Sequence, residues 1–405
     1  MTPRELRTPG PESATVTSLR QRNRATALTF ILRSRETTRA DVARQCGLST
    51  ASAANIVADL IEEGLVAEIG TVASRGGRPI AIIAPRADGA YSLGADVGER
   101  GVAVELFDLG LNMVDREFRG GRVEETVDGI ETDIVEAVSA LRERNAERWG
   151  RVLGIGLGLP GVVETEGDGS QVLFAQSLGW EPYQIPPVLP DGLTVFADNG
   201  AKSLARAELW FGSARGVDRA AVALLGRGVG LGVIADGTVA RGAFSSATEW
   251  GHTKIRFGGQ PCRCGNRGCV EAYIGADAIL GAWRRAGGVF EGSGWQALGA
   301  FLEDAAAGGT AHSVLDDTIE ALGAALGNIV NLTSPQRIVV GGWVGMRLME
   351  HHTPQILDAI RRNSLARAAE QFDLVSASFG GDTIALGSAV MPIESCLIDD
   401  RTGRI

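Results

Sequence analysis

The sequence predicts an α/β protein in two parts: a small helical module at the N-terminus and a larger body of two similar lobes. Three observations carry this. A helix, a short glycine turn and a second helix span Arg39–Glu63, and two short apolar runs follow. A pattern of apolar strand, glycine turn and apolar strand occurs twice, at 91–108 and again at 220–236. One histidine and three cysteines crowd into residues 252–269.

Length and composition bound the answer. The 405 residues are enough for two or three hydrophobic cores, and 44% hydrophobic with 22% charged residues suits a globular chain. No apolar run is long enough to span a membrane, and the N-terminus lacks the charged-then-apolar pattern of a signal peptide. The expected location is therefore the cytoplasm, with no membrane partner. The formal charge of −10 is unevenly spread. Residues 1–86 hold 12 arginines against 8 acidic residues, a net +4, which leaves −14 for the rest. A basic head on an acidic body suggests that the head meets a polyanion.

Residues 1–20, rich in Pro, Thr and Ser without hydrophobic periodicity, read as a mobile tail. Residues 21–86 read as a winged helix-turn-helix domain. A first helix runs from Asn23 with Ala25, Leu28, Ile31 and Leu32 on one face. A second starts near Thr38, with Asp41 completing a capping-box variant. Ser49 is the expected N-cap of a third helix whose apolar stripe is Ala53, Ile56, Val57, Leu60 and Ile61. Thr50, Ser52 and Asn55 point the other way. They are short, polar and uncharged, which suits a helix that approaches base edges in a major groove. The apolar runs Leu65–Ile69 and Pro79–Ala84 then form a β-hairpin wing with Arg75 and Arg78 at its glycine tip, placed for phosphates or a minor groove. The expected DNA contacts are Ser49, Thr50, Ser52, Asn55, Arg75 and Arg78, and the expected partner is double-stranded operator DNA.

Residues 87–395 form the body, and 396–405 read as a second tail. The repeated strand–turn–strand segments suggest two α/β lobes around a cleft, an arrangement that resembles the actin-like and hexokinase-like ATPases. A buried strand is expected at Val152–Leu159, a helix near Leu322–Leu332, and a strand at Arg337–Val340 that ends in Gly341 and Gly342.

His252, Cys262, Cys264 and Cys269 are the four donors that tetrahedral zinc prefers, and four protein ligands leave no open position, so the zinc is expected to be structural. The segment Glu249-Trp-Gly-His252, followed by Cys262-Arg-Cys-Gly-Asn-Arg-Gly-Cys269-Val-Glu271, is similar to the signature of the ROK family (repressors, open reading frames, kinases). The resemblance covers about residues 90–390, and with the N-terminal module the whole chain resembles the repressor branch. It implies that Asp198, Glu249, His252 and Glu271 bind sugar hydroxyls, and that Asp198 stands at the position of the family's catalytic base. Ala197 and Gly200 replace asparagines of the family pattern, and Ser177 replaces another, so some sugar contacts differ.

The phosphate-binding turns argue against a kinase. Family kinases resemble Asp-x-Gly-Gly-Thr in the first turn and Gly-Thr-Gly in the second. Here they read Asp96-Val-Gly-Glu-Arg100 and Gly226-Arg-Gly228. Glu99 would set a carboxylate against a polyphosphate, at a cost of about 4 kcal/mol for one like-charge contact near 4 Å at an effective dielectric of about 20. The expected function is a sugar-responsive DNA-binding regulator of carbohydrate genes, a repressor, acting as a homodimer or homotetramer without enzymatic activity. The alternatives are an ATP-dependent sugar kinase with an accessory winged helix, or an interaction protein whose module binds protein instead of DNA.

Overall fold

Three helices come first: α1 (Val16–Ser34), α2 (Arg39–Gln45) and α3 (Thr50–Glu62). The computed structural model describes residues 16–73, 79–98, 101–121, 126–292, 294–380 and 383–398. Thr38 and Ser49 hold extended backbone just before α2 and α3. Each accepts, on its side-chain oxygen, the N–H three residues ahead, as the capping pattern anticipated. Leu28, Ile31, Val42, Ile56, Val57 and Leu60 close the core of the three helices. Strand β1 (Val66–Val72) then pairs antiparallel with β2 (Ile80–Pro85). Thr37 bridges to Ile83 by two backbone hydrogen bonds of 2.9 and 2.8 Å, which ties the start of α2 to the hairpin. The expected tip arginines, Arg75 and Arg78, lie outside the described residues.

Two expectations for the ends are corrected. Helix α1 begins at Val16, inside the segment expected as tail. Docking explains this: Arg20 on α1 reaches Asp59 on α3 at 2.7 Å, and Arg24 pairs with Glu63. At the other end, Glu394–Ile398 is a helical turn with Cys396 and Leu397 buried, where a tail was expected from residue 396. Arg24 Nη1 donates to the Leu397 carbonyl at 2.8 Å. These residues belong to one compact unit, made of Met1–Ala90, Asp108–Gly110 and Ile393–Ile405.

The second unit comprises Tyr91–Phe107 and Leu111–Pro392. Its first half holds β3 (Tyr91–Gly98), β4 (Gly101–Asp108), β5 (Met113–Gly120), α4 (Val127–Arg144), α5 (Ala146–Trp149) and β6 (Val152–Leu159). A small antiparallel sheet of β7 (Val162–Thr165), β8 (Gln171–Phe174) and β9 (Tyr183–Ile185) leads to β10 (Val195–Asn199) and α6 (Gly200–Phe211). The second half holds β11 (Ala220–Leu225), β12 (Val229–Ala235), β13 (Thr238–Val239), α7 (Glu271–Ile274), α8 (Ala276–Arg285), α9 (Trp295–Ala306), α10 (Ala311–Thr333), β14 (Arg337–Gly341), α11 (Gly342–Arg362), β15 (Asp373–Ser376) and α12 (Thr383–Ile393).

The repeat read from the sequence is a repeat of topology. One sheet runs β10-β6-β3-β4-β5 and the other β13-β12-β11-β14-β15. Counted from the first strand of each half, both have the order 3-2-1-4-5, with the last two strands parallel to the first. Each half closes its own core, one around Leu93, Ile134 and Ile155, the other around Trp250, Phe301 and Leu326. Helix α12 lies flat on the first sheet because the sheet offers glycine there. A Cβ on Gly94 would stand 1.9 Å from the Ala385 carbonyl oxygen, and one on Gly156 would stand 1.9 Å from that of Ser388. Helix α6 meets α12 at a similar bare crossing, where Ser203 Oγ and Ser388 Oγ are 3.0 Å apart.

Candidate functional site

His252 ends a short 3₁₀ turn (Trp250–His252), and the cysteines follow on a tight loop closed by bridges from Lys254 to Cys269 and from Pro261 to Arg267. Gly268 holds φ +78°, and a Cβ there would meet the Arg256 carbonyl oxygen at 1.8 Å, so the loop requires glycine. The four donor atoms of His252, Cys262, Cys264 and Cys269 all lie within 4.8 Å of one another. Cys264 Sγ is 3.7 Å from Cys269 Sγ, and Cys262 Sγ is 3.7 Å from His252 Nδ1. A tetrahedron with metal–sulfur bonds of about 2.3 Å has edges of about 3.8 Å, so the set can hold one metal ion. Burial pushes the Cys262 thiol up to about 12. A cation among the sulfurs would make a thiolate favourable there.

Glu249, His252 and Glu271 border a cleft of about 790 Å³ between the two sheets of the second unit. Glu271 opens α7. Its Oε2 accepts from Val229 N at 3.0 Å, and its Oε1 lies 3.7 Å from Arg263 Nε. Burial, first of all, raises the pKa of Glu249; the neighbouring Glu271 adds to it, while His252 and Lys202 oppose it. Ser177 also borders the cleft. Next to it, Gln176 Nε2 donates to the Cys264 carbonyl at 2.9 Å, a link from the first lobe to the metal loop of the second.

Asp198 is the next-to-last residue of β10 and is 2% exposed. Its neighbour Asn199 borders the cleft, whereas the Asp198 carboxylate is engaged from behind. Arg206 Nη2 stands 3.1 Å from Oδ2, Arg241 Nη2 3.4 Å from Oδ2, and Lys202 Nζ 4.0 Å from Oδ1. Lys202 is itself 1% exposed, and burial lowers its pKa. It also donates to the Ser245 carbonyl. Sequence reading missed these cations, although their spacing is a signal. Asp198, Lys202 and Arg206 stand four residues apart, which aligns the two cations along one face of α6.

The two glycine turns differ in what can be said of them. In the first, Asp96, Gly98 and Gly101 border the cleft, and Glu99 and Arg100 lie outside the described residues. In the second, Gly226 N donates to the Gly228 carbonyl at 3.0 Å, and Arg227 Nε pairs with Asp277 at 2.8 Å. Trp343 was also missed. It follows Gly341 and Gly342 at the start of α11 and lays its Nε1 3.3 Å from where a Cβ of Gly226 would be.

In the first unit, α3 buries Ala53, Ile56, Val57 and Leu60 and leaves Ser49, Thr50, Ser52 and Asn55 exposed. Ser49 Oγ accepts from Ser52 N at 3.1 Å. Ser49→Ala is expected to weaken this helix start by about 1 kcal/mol. Amide hydrogen exchange of the first turn of α3 checks it, with a roughly five-fold rise expected. Unchanged exchange there would show that the cap contributes nothing.

The ROK family model matches residues 92–394. The xylose repressor of Bacillus spizizenii is 29% identical over 390 residues, 94% of this chain and 97% of that protein. A solved ROK family transcriptional regulator, a homologue of the E. coli MLC protein, has a TM-score of 0.72 at 24% identity, covering 92% of this chain and 96% of its own. A ROK family glucokinase from Streptomyces griseus, solved with glucose and AMPPNP, has a TM-score of 0.61 at 25% identity. That match covers 76% of this chain and all of the kinase. Among the described residues no helix is long and apolar enough to cross a membrane.

Proposed function

The chain belongs to the ROK family, and from that premise we propose that it is a sugar-responsive transcriptional repressor whose N-terminal winged helix binds operator DNA. One observation carries the reading. The chain joins a capped helix with a short, polar, exposed face to a cleft bordered by carboxylates beside a His–Cys₃ loop. The α3 face suits base edges, and the bridge from Thr37 to the hairpin suits a wing.

His252, Cys262, Cys264 and Cys269 hold a structural zinc ion in this reading. The ion supplies no open coordination position and so serves to fix the loop that carries Glu249 and Glu271. A histidine bound through one ring nitrogen keeps the other N–H as a donor toward the cleft. Glu249 and Glu271 accept from hydroxyls, and the cations around Asp198 keep that carboxylate oriented. Sugar binding biases the angle between the lobes, and through a two-fold oligomer the spacing of the two DNA-binding heads.

The absence of phosphoryl transfer is supported by the second turn. Its first amide is spent within the turn, its arginine pairs with Asp277, and Trp343 lies over Gly226. A phosphate cradle needs those amides and that space.

Fluorescence anisotropy on fragments of the protein's own upstream DNA, with and without sugars, tests the whole reading. We expect salt-sensitive binding that one sugar changes. Asn55→Ala should weaken specific binding roughly ten-fold, within the about 1–3 kcal/mol range of a base contact. Arg75→Ala with Arg78→Ala should lower the salt slope by about 2. ATP consumption on adding sugar, with no sequence-preferring DNA binding, would instead make the chain a kinase.

A further inference from the structure

The cleft is lined by aromatic rings as well as by carboxylates. The turn Gly226-Arg227-Gly228 connects the two. Beside Gly228, Glu271 Oε2 lies 3.3 Å from the position a Cβ would take, and beside Gly226, Trp343 Nε1 lies at the same distance. Two residues of chain reach about 7 Å at most, close to one pyranose ring with its linking oxygen. A substituent on a sugar ring held at Glu271 can therefore reach Trp343. Trp295 borders the same cleft and is 50% exposed, with the Arg347 guanidinium 4.1 Å from its ring centre. From the first lobe, Phe118 and Phe174 face the cleft with exposed rings. Indole rings offer broad, rigid apolar faces with one polar edge, which suits the ring of a sugar or an aryl group. The volume, about 790 Å³, falls in the roughly 300–1,000 Å³ range of pockets for ligands larger than a single ring.

We propose that these aromatic rings form a second subsite, and that the effector is a two-ring glycoside. Its first ring meets Glu271, and its second ring stacks on Trp343 and Trp295. The inference rests on the sugar-binding reading above and names the class of sugar.

Isothermal titration of the full chain with zinc bound tests it. The probes are glucose, xylose, galactose, mannose and N-acetylglucosamine. Each is used as the free sugar, as its β-linked disaccharide and as its 4-nitrophenyl glycoside, with AMPPNP alongside. For the sugar that binds, the two-ring form is expected to bind at least ten-fold tighter than the free ring. The disaccharide and aryl arms tell which second ring is preferred. Trp343→Ala should bring that ratio down to about 1. Trp295→Ala, at a half-exposed position that leaves folding intact, should lower it at least three-fold. A free sugar that binds as well as its glycosides overturns the second subsite and leaves the sugar reading standing. No binding by any sugar overturns both. AMPPNP binding that Trp343→Ala abolishes assigns the aromatic rings to a nucleotide and overturns the proposal.

Discussion

Cys269→Ser is expected to leave the chain unable to hold a metal ion at this cluster and with a melting temperature roughly 10 °C lower. Cys269 is fully buried, 3.7 Å from Cys264 Sγ and 3.0 Å from Lys254 Nζ. A structural site of this kind contributes folding free energy directly, about 10–16 kcal/mol in isolated metal-binding peptides. In a body with two large cores only part of that is at stake. A loss of several kcal/mol lowers the midpoint by roughly 10 °C, at about 2–4 °C per kcal/mol. Metal content by chelator-dye release and melting by scanning fluorimetry are the measurements. Chelator should reproduce the shift in the parent chain, and added zinc should reverse it there but not in the variant. A Cys269→Ser protein that keeps one equivalent of metal and its melting point would end the zinc assignment.

The second large effect is expected at Gly156. Its missing side chain lets α12 lie on β6, and a Cβ there would sit 1.9 Å from the Ser388 carbonyl oxygen and 3.1 Å from Met391 Cε. The first of these is backbone and cannot swing away. Overpacking of this kind costs about 1–3 kcal/mol, and more where the backbone must move. Gly156→Ala should therefore destabilise by about 3 kcal/mol. Gly299, inside α9 with nothing within 4 Å of its Cβ position, is the control. Gly299→Ala should stabilise by about 0.5–1 kcal/mol, since alanine restricts the unfolded chain and costs nothing in the helix. Equal denaturation midpoints for the two variants would remove the packing argument.

Much of this was legible in the sequence, for identifiable reasons. Thr38 and Ser49 announce their helices because capping is a local matter between residues three apart. Strand β6 was bounded correctly at Val152–Leu159 because a strand buried in a parallel sheet reads as one apolar run. The His252–Cys269 cluster was legible because its four side chains lie close in sequence and the structure brings their donor atoms within 4.8 Å of one another. What escaped depends on distant parts of the chain. Strands β7 to β9 are three or four residues each, too short for a period to show. Lys202 and Arg206 contradict the rule that charges stay outside, and the neighbouring Asp198, with the Ser245 carbonyl beside Lys202, offsets their burial. The helix at Val16 and the turn at Glu394–Ile398 exist because they dock, and composition alone gave no reason to expect either.

The bare docking of α12 also sets an order of events at the ribosome. Gly94 must await Ala385, and Arg24 must await Leu397, a partner 373 positions later. Residues 383–398 emerge after almost everything they complete. Until then the first sheet of the body keeps a strip of uncovered glycine backbone, and the N-terminal unit lacks a partner of its first helix. Contacts this distant in sequence form slowly and leave partly folded chains exposed to aggregation. Translation that halts before residue 383 thus yields a chain in which neither unit is finished.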